Sequence, residues 1–269
     1  MLASKAAKRG LKAESRLINA INGKDELGRK IIRALEDILG IKLTLCSAMK
    51  GPPRAKADII VTCGDKNILI SVKEFDVKFD YNHVERNYID FYAEKWSVPK
   101  DVYIILKRFV GEVNKQGHPV SIETLEKEAE RLGTSPGKLS KKRRIFLNQI
   151  KPQTKDLIIN FFRSKKVEIL RDVFINDEDI EVFIVIKRDG DEVHYYVLPT
   201  KDVLNVYSTG DVAITPRGSL RIGKVVLQRK GGNHRTNGGW TDVVASQLQF
   251  KIKPSECIKN RNPILCEKI

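Results

Sequence analysis

The sequence predicts a chain of the α/β class, and three observations carry that prediction. Residues 4 to 39 repeat apolar side chains at helical spacing, Ala57 to Phe75 reads as strand, tight turn and strand, and the last third is a run of short strands with glycine-containing links. At 269 residues the chain can bury one large core or two modest ones, and a hydrophobic fraction of 41% excludes wholesale disorder.

Taken in order, Leu11, Leu17, Ile18 and Ile21 mark one helix and Leu27, Ile31, Ile32, Leu35 and Ile38 a second, broken near Asn22-Gly23. Glu14 lies on the first. After Gly40, Ile41 to Cys46 predicts a strand, and Gly51-Pro52-Pro53-Arg54 a loop. Ile59-Ile60-Val61 and Ile68-Leu69-Ile70 then flank Gly64-Asp65-Lys66-Asn67, a β-hairpin pattern. Asp58 opens the first strand, while Ser71 and Lys73, two apart near the end of the second, share a face. An antiparallel hairpin makes those ends neighbours. One carboxylate, one hydroxyl and one lysine would meet there, a set suited to holding a divalent metal and activating a water. Asp, Ser and Lys are also ordinary surface residues at strand ends, so the spacing alone is weak evidence.

Phe79 to Asn87, containing Tyr81, His83 and Arg86, reads as a polar connection, and Tyr88 to Trp96 as a helix rich in aromatics. Val102 to Phe109 predicts a strand and Ser121 to Leu132 a charged helix. Lys141, Lys142, Arg143 and Arg144 form a basic cluster able to meet phosphates. Leu157 to Phe162 predicts a helix, Val167 to Leu170 a strand, and Val182 to Lys187 a strand paired through Gly190 with His194 to Leu198. Short strands follow from Tyr207 onward. Among them Gln228, Arg229, Lys230, Gln249 and Lys251 supply groups that read base edges or hold phosphates.

Forty-nine Lys and Arg against thirty-four Asp and Glu give a net charge of +15 and a pI near 9.6. That balance points to a polyanionic partner such as nucleic acid. Cys46, Cys63, Cys257 and Cys266 show no zinc-site spacing. With no signal peptide and no apolar run long enough to span a bilayer, the expectation is a prokaryotic cytoplasmic protein with reduced thiols.

The run from Ser4 to Glu14, the Asp58 and Ser71-Val72-Lys73 hairpin, Phe79 to His83, Lys141 to Arg144, Gly210-Asp211, Thr215-Pro216-Arg217-Gly218-Ser219, Gly223 to Gly232 and Leu248 to Pro254 are similar, in that order, to one family. They resemble type II restriction endonucleases of the PD-(D/E)xK superfamily, in particular the GCGC-cutting group that includes HhaI, with CCGG-cutting MspI a more distant relative. The resemblance spans about Ser4 to Glu256, and its most specific part is the Gln228-Arg229-Lys230-Gly231-Gly232 and Leu248-Gln249-Phe250-Lys251-Ile252 pair.

The resemblance implies a central mixed sheet flanked by helices and Mg2+-dependent hydrolysis of double-stranded DNA at a short palindrome, GCGC first and CCGG second. Asp58 would bind the metal, Lys73 would orient or activate the attacking water, and Glu14 would be an additional acid. Ser71 stands where the superfamily carries Asp or Glu and close relatives Gln or Asn, so it would reach the metal through water, leaving Asp58 and the Val72 carbonyl in the first shell. Gln249 and Lys251 would face the major groove, with Arg229 and Lys230 beside them. Tyr81 would wedge into the base stack next to His83. Arg86, Arg217 and Gln228 complete the expected DNA contacts.

One nuclease domain over 1–269 is expected, with a catalytic core at 1–110, a middle part at 111–205, recognition strands at 206–256 and a tail at 257–269. The expected setting is a restriction-modification system, with a cognate methyltransferase as functional pair and a monomer or weak homodimer as the working form. Two other readings fit the same residues: a nicking repair endonuclease of the MutH kind, and a DNA-binding protein that has lost catalysis.

Overall fold

The computed structural model describes residues 5–53, 55–111, 122–134, 144–229, 234–236, 239–241 and 247–268. In chain order the elements are α1 (Lys5–Gly23), α2 (Glu26–Leu39), β1 (Cys46–Lys50), β2 (Ile59–Cys63), β3 (Lys66–Asp76), β4 (Asn82–Tyr88), α3 (Ile89–Lys95), α4 (Lys100–Val110) and α5 (Ile122–Arg131). A 3-10 turn at Leu147–Gln149 precedes α6 (Pro152–Ser164), α7 (Lys166–Phe174), β5 (Ile180–Asp189), β6 (Glu192–Pro199) and α8 (Thr200–Ser208). The chain ends with β7 (Val212–Ile214), β8 (Leu220–Ile222), β9 (Val225–Arg229), β10 (His234–Thr236), β11 (Gly239–Thr241), β12 (Gln247–Ile252), α9 (Ser255–Ile258) and β13 (Leu265–Lys268).

The chain divides into two compact units. One comprises Met1–Asn82, Leu170–Thr209 and Ile252–Ile269, the other His83–Ile169 and Gly210–Lys251. In the first unit six strands run in the order β1-β2-β3-β5-β6-β13. Only β3 and β5 pair in parallel; the other neighbours are antiparallel, so the sheet is mixed. β5 is buried without a break from Val182 to Ile186, which explains its unbroken apolar run there.

Helices α1 and α2 cover one face of this sheet. Ala13, Leu17, Ala20, Leu27, Ile31 and Leu35 pack with Ile59, Val61, Ile68, Ile70 and Ile184 into one core. The two helices approach closely at Gly28, where any Cβ would meet the carbonyl oxygen of Ala20 at 2.0 Å. Asp25 caps α2 by accepting the Gly28 N–H at 2.9 Å. On the other face, Phe174 lies against both Phe183 and Tyr207.

The second unit carries a five-stranded sheet in the order β4-β12-β9-β8-β7. Phe250 of β12 meets Tyr92 and Trp96, which stack on each other at 4.6 Å. All three are buried, so they are core rather than ligand-binding groups.

Several elements differ from expectation. Val102 to Phe109 is helical, because Val102, Ile105, Leu106, Phe109 and Val110 fall on one buried helical stripe, bounded by Pro99 and by Gly111 in the left-handed conformation. Val167 to Leu170 likewise belongs to helix α7, with Ile169, Leu170, Val173 and Phe174 buried. The strand expected at Ile41 to Cys46 begins only at Cys46, since Gly40 caps α2 and the Glu36 carboxylate accepts the Leu43 N–H at 2.9 Å. His83 and Arg86 stand on strand β4 rather than in a connection, and Tyr207 and Ser208 close helix α8.

The cysteines require a further correction. Cys46 and Cys63 are directly opposed on β1 and β2 with Cα atoms 4.1 Å apart, and a disulfide joins them, leaving Cys257 and Cys266 as free thiols. Opposed positions on antiparallel strands bring two thiols within bonding reach. Among the described residues no helix is long and apolar enough to cross a membrane.

Candidate active site

The β2–β3 hairpin forms as its sequence implies, with Ile59 opposite Ile70 and the turn at Gly64 and Asp65. One residue before β2, the Asp58 N–H donates to the Ile70 carbonyl at 2.9 Å, so the pairing continues to Asp58. Side chains alternate, and Asp58 therefore leaves the face shared by Ile59 and Ile70 and joins Ser71 and Lys73 on the other. Asp58 Oδ2 accepts the Val72 N–H at 2.6 Å, the Ser71 hydroxyl at 3.1 Å and the Lys73 ammonium at 3.3 Å. Lys73 Nζ also donates to Ser71 Oγ at 2.7 Å and to the Val72 carbonyl at 3.0 Å. Ser71 is 2% exposed and Lys73 mostly buried, so these contacts form away from bulk screening.

Two features hold Asp58 in place that the sequence did not advertise. Gly51 donates its N–H to the Asp58 carbonyl at 3.0 Å, and a Cβ there would sit 1.9 Å from the Ala57 oxygen, so only glycine permits the approach. The Glu178 carboxylate accepts the N–H groups of Lys56 at 2.6 Å and of Ala57 at 2.9 Å. Glu178 lies 120 residues downstream of Asp58 and no local motif links the two; only the tertiary fold brings them together.

Glu14 is not drawn into this cluster. Its helix covers the sheet face that carries Ile59 and Ile70, and its carboxylate pairs with Lys50 at 3.3 Å. Glu74 points away as well and is bound by Arg188. Among the described residues no three His, Cys, Asp or Glu side chains converge to hold a metal ion. The available donors are instead Asp58, the Val72 carbonyl and the Ser71 hydroxyl. All are hard oxygens with one formal charge, which fits magnesium retaining most of its waters.

In the same unit Phe79 and Tyr81 are exposed aromatics, 72% and 59% respectively, and Lys253 lies 5.3 Å above the Tyr81 ring. In the second unit, Gln249 of β12 stands directly opposite Gln228 of β9, and Lys251 opposite Val226. These side chains line one face, where burial lowers the pKa of Lys251.

Arg229 alternates to the opposite face. Its guanidinium donates to the carbonyls of Phe109 at 3.0 Å and Ile145 at 2.9 Å and lies over the rings of Phe109 and Phe146. Burial, with the charge of Arg144 second, lowers its pKa to about 10. Arg144 likewise donates to the Val110 carbonyl at 3.0 Å. The structure gives both arginines an internal, chain-linking place. His83, Arg86 and Arg217 are exposed. Lys141, Lys142, Arg143 and Lys230 lie outside the described residues.

The solved structure of restriction endonuclease MspI in complex with its cognate DNA superimposes with a TM-score of 0.52, at 11% sequence identity, covering 91% of this chain and 90% of that one. No curated protein sequence matches the chain. The fold is that of a type II restriction endonuclease, a site-specific deoxyribonuclease. Residues 35–258 match the family model for the R.HinP1I restriction endonuclease, and the chain belongs to that family.

Proposed function

We propose that this endonuclease hydrolyses double-stranded DNA at a short palindrome, GCGC first and CCGG second, in a Mg2+-dependent reaction of the PD-(D/E)xK type. The observation that carries the reading is the convergence of Asp58, Ser71 and Lys73 on one sheet face in a chain of a restriction-endonuclease family. Asp58, the Val72 carbonyl and Ser71 would hold the cation. Magnesium, when bound, polarises the scissile phosphate and lowers the pKa of its bound water. Lys73 orients the attacking water and stabilises negative charge growing on the phosphate. Glu178 and Gly51 keep the Asp58 backbone fixed while this occurs.

For recognition, Gln228, Gln249 and Lys251 are assigned to base edges in the major groove, and Tyr81 to the base stack. His83, Arg86, Arg217, Lys230 and the run Lys141 to Arg143 are assigned to the DNA backbone. The two units would work as one nuclease, the first carrying the chemistry and the second the reading strands. The biological setting is a prokaryotic cytoplasm that also contains a methyltransferase of the same specificity.

Incubation of purified protein with plasmid DNA of known sequence, with and without magnesium, followed by end-mapping, tests this reading. Discrete Mg2+-dependent fragments ending at one tetranucleotide are expected, and Lys73→Ala should abolish them while retaining binding. A second reading, a DNA-binding protein without catalysis, is favoured by Ser71 in place of a carboxylate. Tight salt-sensitive binding with no cutting under any divalent ion would select it.

A further inference from the structure

Outside the hairpin site, the far edge of the first unit's sheet carries a second cluster of reactive groups. Cys266 of β13 is directly opposite His194 of β6, and its sulfur lies 3.0 Å from His194 Nδ1. Lys187 of β5 is directly opposite His194 on the other side. Lys187, His194 and Cys266 therefore form one row across three strands on one sheet face. The other ring nitrogen, Nε2, makes no hydrogen bond and lies 3.4 Å from Glu192 Oε2, an ion-pair distance. Cys266 itself is exposed, whereas the imidazole is only 16% exposed. A reachable sulfur thus meets a fixed, sheltered base whose far side faces a carboxylate. That is the arrangement of an assisted nucleophile.

The other cysteines do not share it. Cys257 is buried against Tyr207, and burial pushes its thiol up to about 11. Cys46 and Cys63 are consumed in their disulfide.

We propose that Cys266 is a nucleophilic thiol, with His194 as its general base, that undergoes exchange with low-molecular-weight disulfides and becomes a modification site on the edge strand. Sγ attacks one sulfur of the incoming disulfide as its proton passes to Nδ1, and Glu192 stabilises the imidazolium so formed. A new S–S bond forms to Cys266 while the S–S bond of the reagent breaks. The leaving thiolate then takes the proton from His194 and departs as a thiol. Cys266 is oxidised to a mixed disulfide and half of the reagent is reduced, so the step needs no other oxidant.

The test uses the folded full-length protein and 5,5′-dithiobis(2-nitrobenzoate), with release followed by absorbance and the label placed by peptide mass mapping. One equivalent should react at Cys266 about tenfold or more faster than the same cysteine in denaturant. His194→Gln should remove that advantage, Glu192→Gln should reduce it several-fold, and Cys266→Ser should abolish the fast phase. A fast phase on another cysteine, or a Cys266 rate unchanged in both His194→Gln and Glu192→Gln, would overturn the proposal.

Discussion

Around Asp58 the proposed chemistry would depend on single residues whose work is positional. Glu178 satisfies two backbone N–H groups immediately before Asp58, and hydrogen bonds to a charged group are each worth about 1.5–3 kcal/mol. Glu178→Ala should therefore lower stability by roughly 3 kcal/mol and slow cleavage about tenfold per folded molecule with DNA affinity intact. Denaturant titration beside single-turnover cleavage measures both; unchanged cleavage would remove Glu178 from the site. Arg229 makes a contrasting case. Because its guanidinium is bonded to two carbonyls between two rings, Arg229→Ala should cost about 2–4 kcal/mol of stability and leave the preferred target unchanged. Gln249→Ala, at a buried position of β12, should relax discrimination by about 1–3 kcal/mol at one base pair, an effect that Arg229→Ala lacks. Selection of cleaved sites from a random-sequence library separates the two outcomes.

Elements show how far sequence patterns reach and where they stop. The hairpin was legible because its two apolar triplets bracket a glycine turn, and the alternation that placed Ser71 beside Lys73 also delivered Asp58 to them. Helix α4 was not legible: Val102 to Phe109 is rich in strand-forming residues, and only its packing chooses the helical stripe over the extended one. Strand β1, Cys-Ser-Ala-Met-Lys, has little strand character of its own and exists through pairing with β2. Its disulfide closes a 17-residue separation, so reduction should cost about 3 kcal/mol in the loop-entropy account, visible as a lower denaturation midpoint in dithiothreitol. Helix α2 has a pH signature. At its cap, partial desolvation pushes the Asp25 carboxyl up, but the Gly28 N–H and Arg16 outweigh it and hold the pKa below its ordinary value. A depressed folded pKa contributes stability that is present above the unfolded value near 3.9 and lost as pH falls through the folded one. Asp25→Ala should remove about 1 kcal/mol at neutral pH and less once acid has protonated the folded carboxyl, as acid titration of both proteins would report.

At the scale of the whole molecule, the net charge of +15 is a statement about association. On the proposed reading, exposed Arg86 and Arg217, with Lys141, Lys142 and Arg143, would add attraction that carries no sequence information. Each phosphate neutralised releases condensed counterions, so log K for duplex DNA should fall linearly with log salt at about −0.9 per contact. Six to eight contacts, a typical footprint, give a slope near −5 to −7 and a loss of about a thousandfold to ten-thousandfold in affinity between 50 and 200 mM salt. Replacing Arg217 with alanine should make the slope shallower by about one and weaken all duplexes alike, whereas Gln249→Ala should leave the slope unchanged and weaken the target alone. Fluorescence anisotropy over a salt series, in calcium to block cleavage, measures these slopes on target and non-target duplexes. A slope near zero on both would mean that the excess charge serves no DNA contact, and the basic residues would then have to be assigned to another partner.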